Sequence, residues 1–175
     1  MSESQRNPAV VAAVLALVCA GHLVAAPVTV HNADELRHEL HRAKPGSIIM
    51  LAPGEYGNGF RIERVKGTKE MPILIAGADE HNPPVFQGGN LAMHFVGCSY
   101  ITLRKLRISG CRLNGINADD GGSADSPSIG MVFEELRIEN IGNRGNHDSM
   151  KLSGLDSFTV RSCSFRGWVA RLLIW

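Results

Sequence analysis

Three segments of the sequence decide the fold: YITLRKLRIS (residues 100–109), GMVFEELRIE (residues 130–139) and SFTVRSCSFR (residues 157–166). They align without gaps and start 30 and 27 residues apart. Apolar side chains recur at four shared places, which are Ile101, Leu103, Leu106 and Ile108, then Met131, Phe133, Leu136 and Ile138, then Phe158, Val160, Cys163 and Phe165. Apolar and polar residues alternate within each half, which is the period of a β-strand. The chain therefore repeats a unit of short strands.

A second repeated element is MHF (residues 93–95), INA (116–118) and MKL (150–152). The middle copy is followed by an insertion of seven residues, DDGGSAD (119–125) or its neighbourhood. Without the insertion the period is near 25 residues. Short strands at this period, with Gly, Asn and Asp between them, predict an all-β solenoid, the parallel β-helix. Like positions then stack inside the solenoid, Leu103 with Phe133 and Val160, and Leu106 with Leu136 and Cys163.

The N-terminal residues have the pattern of an export signal. Arg6 precedes an uncharged run (residues 9–21) and the small residues Val24, Ala25 and Ala26. This pattern predicts a signal peptide over residues 1–26 and a periplasmic, cell-surface or extracellular protein. An uncleaved membrane anchor is the alternative, although the strongly apolar part is shorter than a membrane span requires. Pro27 follows the expected cleavage point and leaves the cleavage site open.

The segment NADELRHELHRAKPG (residues 32–46) predicts a helix over residues 33–43. Asn32 and Glu35 resemble a capping box, Leu36 and Leu40 share one face, and Pro-Gly ends the segment. The sequence after it consists of strand and turn patterns. We expect the helix to cover the N-terminal end of the solenoid, where strand edges and interior side chains would otherwise meet water.

Composition excludes several classes of function. The chain has 175 residues and a formal net charge of +1, which gives no electrostatic basis for binding nucleic acid. Removal of Cys19 with the signal peptide leaves three cysteines without CxxC spacing, so they predict apolar packing rather than a zinc site or disulfides. The sequence contains no GxSxG, HExxH, P-loop or GxGxxG motif.

Residues 28–168 resemble the secreted right-handed parallel β-helix proteins of bacteria, nearest the chondroitinase B and alginate lyase-like group. The resemblance rests on NADELRHELHRAKPGSIIMLAPGEY (residues 32–56), GTKEMPILIAG (67–77) and GLDSFTVRSCSF (154–165). It implies β-elimination on uronic-acid polysaccharides, with calcium neutralising the substrate carboxylate and Lys or Arg acting as base and acid. It also implies that the catalytic groups lie on later coils, so no catalytic residue is assigned in this chain.

The inserted loop supplies the candidate metal ligands. Asp119, Asp120 and Asp125 are hard oxygen donors on a Gly-rich segment and suit calcium. Their spacing does not match an EF-hand loop. A solvated insertion without an ion explains the same residues, and both interpretations stay open.

The candidate substrate-binding residues follow the strand alternation. Lys151 lies between inward-facing residues and therefore points outward, and His94 and Asn117 occupy equivalent places on two other coils. Arg144 lies nearby in NRGNHDSMKLSG (residues 143–154), whose His147 and Asp148 fit corner chemistry. A Lys and an Arg suit a uronate carboxylate. The sequence therefore predicts a polar stripe that faces the ligand.

The chain ends in SFRGWVARLLIW (residues 164–175), which starts in the repeat and then leaves it. Proteins of the resembled group often continue after Arg-Gly-Trp as Gly-Gly-Ser-Ala-Ile-Asp-Met-Val. Loss of one base from a coding sequence for that stretch yields residues 169–175. We therefore expect coils up to residue 168, an aberrant, frameshifted tail over 169–175, and a β-helix truncated at its C-terminal end. The alternative is a natural end in which Leu173 and Trp175 face inward.

Two functions follow from these observations. The first is the N-terminal part of an exported enzyme that cleaves acidic polysaccharide when full length and is inactive as this chain, with about three to four coils. The second is a noncatalytic β-helix that binds carbohydrate or acts as a surface module. The partner in both is a polysaccharide, and the sequence does not decide the oligomeric state.

Overall fold

The computed structural model describes residues 25–123, 125–142, 147–167 and 172–174. Within them it contains one helix, α1 (Ala33–Arg42), and eighteen strands. The strands are β1 (Val28–Val30), β2 (Ile48–Leu51), β3 (Glu55–Gly57), β4 (Phe60–Glu63), β5 (Ile73–Gly77), β6 (Val85–Gln87), β7 (Leu91–Val96), β8 (Ile101–Arg104), β9 (Arg107–Ser109), β10 (Asn114–Asp119), β11 (Ser128–Ile129), β12 (Val132–Glu134), β13 (Arg137–Glu139), β14 (Met150–Ser153), β15 (Leu155–Asp156), β16 (Thr159–Arg161), β17 (Ser164–Arg166) and β18 (Leu172–Ile174).

Three parallel sheets surround the interior. Sheet A has the order β1-β2-β5-β8-β12-β16, sheet B β3-β6-β9-β13-β17 and sheet C β4-β7-β10-β14-β18, while β11 pairs with β15. Each coil gives one strand to each sheet, so the described residues form five successive coils, beginning with β2-β3-β4. The predicted parallel β-helix with a capping helix is confirmed. The expected three to four coils are too few, because β2 to β7 stack in the same way without matching the aligned templates.

The register of the sheets reproduces the sequence repeats. In sheet C, Ile116 pairs with both Met93 and Met150, and in sheet A, Phe133 pairs with both Leu103 and Val160. These six side chains pack in one apolar core; five of them are buried, and Val160 is partly buried. The insertion after β10 therefore leaves the stacking of the next coil unchanged, as predicted.

The helix covers the N-terminal end of this core. Asn32 Oδ1 accepts the N–H groups of Asp34 and Glu35, at 3.1 and 2.9 Å, and so caps the helix. The Glu35 carboxylate accepts the N–H of the residue before Asn32, a variation on the capping box. Leu36 and Leu40 are buried against the first coils.

Tyr56 ties the first strands to the cap. Its ring is buried and stacks on Phe86, with ring centroids 5.5 Å apart. Its hydroxyl donates to the backbone carbonyls of Val30, at 2.7 Å, and Ala52, at 3.0 Å. Burial raises the pKa of this phenol, which therefore stays protonated and able to donate.

The corner between sheets A and B differs from the expected Gly, Asn and Asp. Lys105, Glu135 and Ser162 occupy it on three successive coils, with φ of 55°, 54° and 54°. A non-glycine residue in this left-handed region costs roughly 1–2 kcal/mol. The long side chains at this corner form ion pairs, with Lys105 Nζ 2.8 Å from Glu80 Oε2 and Arg104 2.7 Å from Glu135 Oε1.

The last strand corrects the expected register of the tail. Leu172 pairs with Met150 and Ile174 with Leu152, so Leu172 and Ile174 take the inward places. The sequence predicted Leu173 and Trp175 inward. Leu173 instead pairs with outward Lys151, because this coil is one residue shorter than the 23 assumed and a shift of one residue changes the face of a strand. Trp175 and residues 168–171 lie outside the described residues.

The proposed signal peptide also lies almost entirely outside the described residues, which begin at residue 25. Within the described ranges, α1 is the longest helix, and none has the length and apolar character needed to cross a bilayer.

Candidate carbohydrate-binding face

The outer face of sheet C carries a line of polar side chains. Strand pairing aligns Arg61 of β4 with His94 of β7, then His94 with Asn117 of β10, and Asn117 with Lys151 of β14. Parallel strands lie about 4.8 Å apart, so the four residues occupy successive rungs of one row. The predicted alignment of His94, Asn117 and Lys151 is confirmed, and Arg61 extends the row by one coil. We call these four residues the polar row.

Strand alternation explains why these residues face outward. Their neighbours Phe60, Met93, Ile116 and Met150 form the adjacent inward row and are buried. Because successive side chains in a strand point to opposite faces, burial of one row places the other in contact with solvent. The core of the solenoid therefore holds the polar row in position.

His94 makes two contacts that together fix its tautomer. Its Nε2 lies 2.5 Å from Asp119 Oδ2, and its Nδ1 lies 3.2 Å from the guanidinium of Arg61. A guanidinium nitrogen only donates, so Nδ1 accepts and Nε2 carries the hydrogen bonded to Asp119. Arg61 also pairs with Glu63 on its own strand. Both ring nitrogens of His94 are therefore engaged, which holds the imidazole in one orientation on the outer face of sheet C.

Asn117 occupies the middle of the polar row. Its Oδ1 is buried and accepts no hydrogen bond from the described residues. An unsatisfied buried acceptor costs about 1–3 kcal/mol, so this amide gains from any donor that reaches it. Lys151, on the next rung, is partly buried.

The acidic loop uses two of its three carboxylates for its own structure. Asp119 Oδ1 accepts the N–H of Gly121 at 2.9 Å, and Asp120 Oδ1 accepts the N–H of Gly122 at 2.8 Å. Asp125 is exposed. Among the residues that the structure describes, no group of three His, Cys, Asp or Glu side chains is arranged to hold a metal ion. Calcium binding by Asp119, Asp120 and Asp125 stays a prediction.

Asp120 also contacts the next coil. An ideal Cβ built on Gly154, which has a φ of +62°, would lie 2.4 Å from Asp120 Oδ2. Only a glycine fits both this φ and this close approach. The contact joins the acidic loop to the end of β14, on the same side of the molecule as the polar row.

The remaining predicted site residues lie in the corner before β14. Arg144 is outside the described residues. Asp148 is fully buried, and its backbone N–H donates to Asn114 Oδ1 at 2.8 Å. His147 Nδ1 is buried without a hydrogen-bond partner among the described residues. This burial agrees with the interpretation of His147 and Asp148 as corner residues rather than a dyad open to substrate.

The cysteines behave as apolar packing residues. Cys98 and Cys111 are buried with free thiols, and Cys163 is partly buried. Burial raises the pKa of Cys111 to about 11 and also raises the pKa of Cys98 and Cys163. All three thiols are therefore protonated at neutral pH and poor as nucleophiles or metal ligands.

Comparison with solved structures gives two similar chains. An alginate lyase from Paenibacillus sp. str. FPU-7 matches with a TM-score of 0.64 and 25% identity, over 78% of this chain and 43% of that one. A mutant of the PL6 family alginate lyase AlyGC matches with a TM-score of 0.55 and 15% identity, over 80% of this chain and 20% of that one. No family model and no curated protein sequence matches the chain.

These likenesses confirm the resemblance predicted from the sequence. The chain has the parallel β-helix fold of polysaccharide lyases and spans less than half the length of either similar structure. The sequence did not identify Arg61 as part of the row, although FRIE (residues 60–63) carries the same alternation as the later strands. A gapped alignment of Phe60 with Met93 would have found it.

Proposed function

We propose that this chain is the N-terminal, polysaccharide-binding part of an exported β-helix protein that acts on acidic, uronic-acid polysaccharide. The chain binds the polymer, and cleavage by β-elimination needs coils beyond those present here. The proposal draws on the likeness to the Paenibacillus alginate lyase over 78% of this chain. A fold hosts many activities, so the argument for binding depends on the residues of the polar row.

The observation that carries the proposal is the row itself. Four polar side chains lie on consecutive rungs of a parallel sheet, and Arg61 and Lys151 at the two ends of the row are cationic. Such spacing offers cations to carboxylates and an amide to hydroxyl groups along an extended polymer. A uronic-acid chain, with one carboxylate on each sugar, matches this surface chemically.

The inactivity proposed for this chain follows from the resemblance, which places the Lys or Arg that act as base and acid on later coils. On the polar row, both nitrogens of His94 are engaged by Asp119 and Arg61, which fixes the ring for binding. The same engagement favours the second candidate, a noncatalytic carbohydrate-binding module. The two candidates share the binding face and differ in whether a longer form of the protein cleaves the polymer.

The test measures binding and cleavage separately. Isothermal titration of the chain with oligomers of alginate, pectate and chondroitin reports binding, and ultraviolet absorbance of unsaturated products reports cleavage. We expect binding of at least one oligomer without absorbance change. The His94→Ala and Lys151→Ala variants should bind several-fold more weakly, while Lys44→Ala, an exposed lysine near the helix end, should match the wild type.

Each alternative gives a different result. If this chain binds the polymer and a longer form of the protein cleaves it, the result supports the lyase candidate. Binding by both without cleavage supports the noncatalytic module. Absence of binding to every acidic oligomer refutes both. Titration with EDTA or added calcium shows whether the acidic loop contributes through an ion, which would appear as calcium-dependent affinity lost in Asp119→Asn.

A further inference from the structure

A second polar surface lies beside the polar row and shares Arg61 with it. It is a cavity of about 450 Å³ between the corner after β4 and the loop that follows β10. Its lining includes Arg61, Arg64, Lys66, Val96, Asp120 and Ser126. None of these residues except Asp120 was singled out by the sequence. The cavity lies along the carboxyl ends of β4, β7 and β10, and Arg61 belongs both to its lining and to the polar row.

Three cations of this cavity come from one short segment. Arg61 lies on β4, Arg64 turns the chain with a φ of 53°, and Lys66 follows in a bridge to Ser99 of the next coil. The coil corner therefore brings together side chains that an extended strand would send to alternate faces. All three cationic side chains are exposed.

Two of these cations lack acidic partners. Within the described ranges, no carboxylate lies within 4.0 Å of the charged groups of Arg64 or Lys66, whereas Arg107 pairs with Glu139 on sheet B. The two carboxylates on the cavity lining are already engaged. Glu63 pairs with Arg61, and Asp120 accepts a backbone N–H. The cavity thus combines unpaired positive charge with carboxylates that have other partners.

We propose that this cavity binds the carboxylate of one sugar residue of an acidic polysaccharide whose neighbouring residues lie on the polar row; this inference rests on the proposed function. Arg64 supplies a fork that matches a carboxylate and Lys66 a point charge beside it. Ser126 at the rim is placed to exchange hydrogen bonds with sugar hydroxyls. Arg61, between the two surfaces, already contacts His94 and pairs with Glu63, so Arg64 and Lys66 supply the cationic contacts of the cavity.

The charges of the cavity favour a singly charged group. Glu63 and Asp120 stand on the same lining as the three cations, so a doubly charged phosphate meets more repulsion than a carboxylate does. The net charge of the whole chain is only +1, so a polyphosphate backbone gains little from the rest of the surface. A uronic acid supplies the single charge together with hydroxyl groups.

The test compares two charge-matched double variants. Arg64→Gln with Lys66→Gln removes the unpaired cations of the cavity, and Lys44→Gln with Lys69→Gln removes two exposed lysines outside it. Circular dichroism and urea unfolding check that both variants fold. Titration with an alginate tetrasaccharide at low salt should show roughly tenfold weaker binding for the cavity variant, as two exposed ion pairs predict. The control variant should bind like the wild type.

The outcomes separate this inference from the proposed function. If the wild type binds no acidic oligosaccharide, the proposed function fails. If the wild type binds and the cavity variant binds equally well while His94→Ala binds weakly, the polar row stands and the cavity site is refuted. If the cavity variant loses as much affinity for a sulfated oligosaccharide without uronate as for the alginate tetrasaccharide, the cavity does not select a carboxylate. A neutral tetrasaccharide should not distinguish the variants.

Discussion

The contact between Asp120 and Gly154 gives a sharp quantitative prediction. Replacing Gly154 with alanine adds a Cβ at a φ of +62° and 2.4 Å from Asp120 Oδ2. The left-handed conformation alone costs about 1.5 kcal/mol in an alanine. The new methyl group also displaces the Asp120 side chain, so its 2.8 Å bond to the N–H of Gly122 is lost at about 1 kcal/mol. We expect Gly154→Ala to lower the free energy of unfolding by about 2.5 kcal/mol.

A double-mutant cycle separates the two costs. Asp120→Ala alone removes the hydrogen bond and should cost about 1 kcal/mol. The double variant should cost about 2.5 kcal/mol, because the bond is lost only once, which gives a coupling energy of about 1 kcal/mol. Gly88→Ala is the matched control, since Gly88 has a φ of +73° and no atom within 4 Å of an added Cβ. It should cost about 1.5 kcal/mol by conformation alone.

Urea unfolding followed by circular dichroism measures all four variants. Additive losses, with the double variant near 3.5 kcal/mol, would falsify the contact between the acidic loop and β14. A Gly154→Ala loss equal to that of Gly88→Ala would lead to the same conclusion.

Three further predictions concern stability and reactivity. Tyr56→Phe should destabilise the chain by about 1–2 kcal/mol in urea, since the backbone carbonyls of Val30 and Ala52 lose the hydroxyl that donates to them; an unchanged midpoint contradicts that role. Arg161, bonded to Glu134, lowers the pKa of that carboxyl, so its stabilisation is present above the ordinary value and lost as pH falls through the lowered one. The urea midpoints of wild type and Glu134→Gln should therefore converge as the pH falls below the ordinary value of a glutamate carboxyl, and a difference that stays constant with pH refutes the pair. At pH 8, iodoacetamide should leave Cys98 and Cys111 unmodified until urea is added, and rapid native labelling refutes their burial.

The polar row shows what the sequence can predict about such a site. Alternation within strands, together with the repeat, placed His94, Asn117 and Lys151 on one outward line, and the pairing of β7, β10 and β14 confirms it. This succeeds because a buried inward row fixes the face of every second residue. The contacts of His94 were not predicted, since they depend on side-chain directions rather than on which face a residue occupies.

The misjudged features depend on coil length and corner geometry. Arg61 was missed because the 33 residues between it and His94 exceed the period near 25 that remains once the insertion after β10 is removed. Leu173 was predicted inward because one coil length was transferred to the next, and a single residue reverses a strand. Lys105 adopts a left-handed φ although it is not a glycine, and no local sequence pattern predicts this conformation.

The ion pairs on sheet A restrict how a solenoid of this kind can lengthen. Along one outward column of the last three coils, Arg104 pairs in register with Glu134, and Glu134 with Arg161, so the sign of the charge changes from each of these coils to the next. Duplication of any one of these three coils would set like charges on adjacent rungs, whereas duplication of two adjacent ones together preserves the alternation. Each of these ion pairs contributes little to stability. The smallest unit that this charged column can repeat without like-charge repulsion is nevertheless two coils, whereas the apolar interior repeats with every coil.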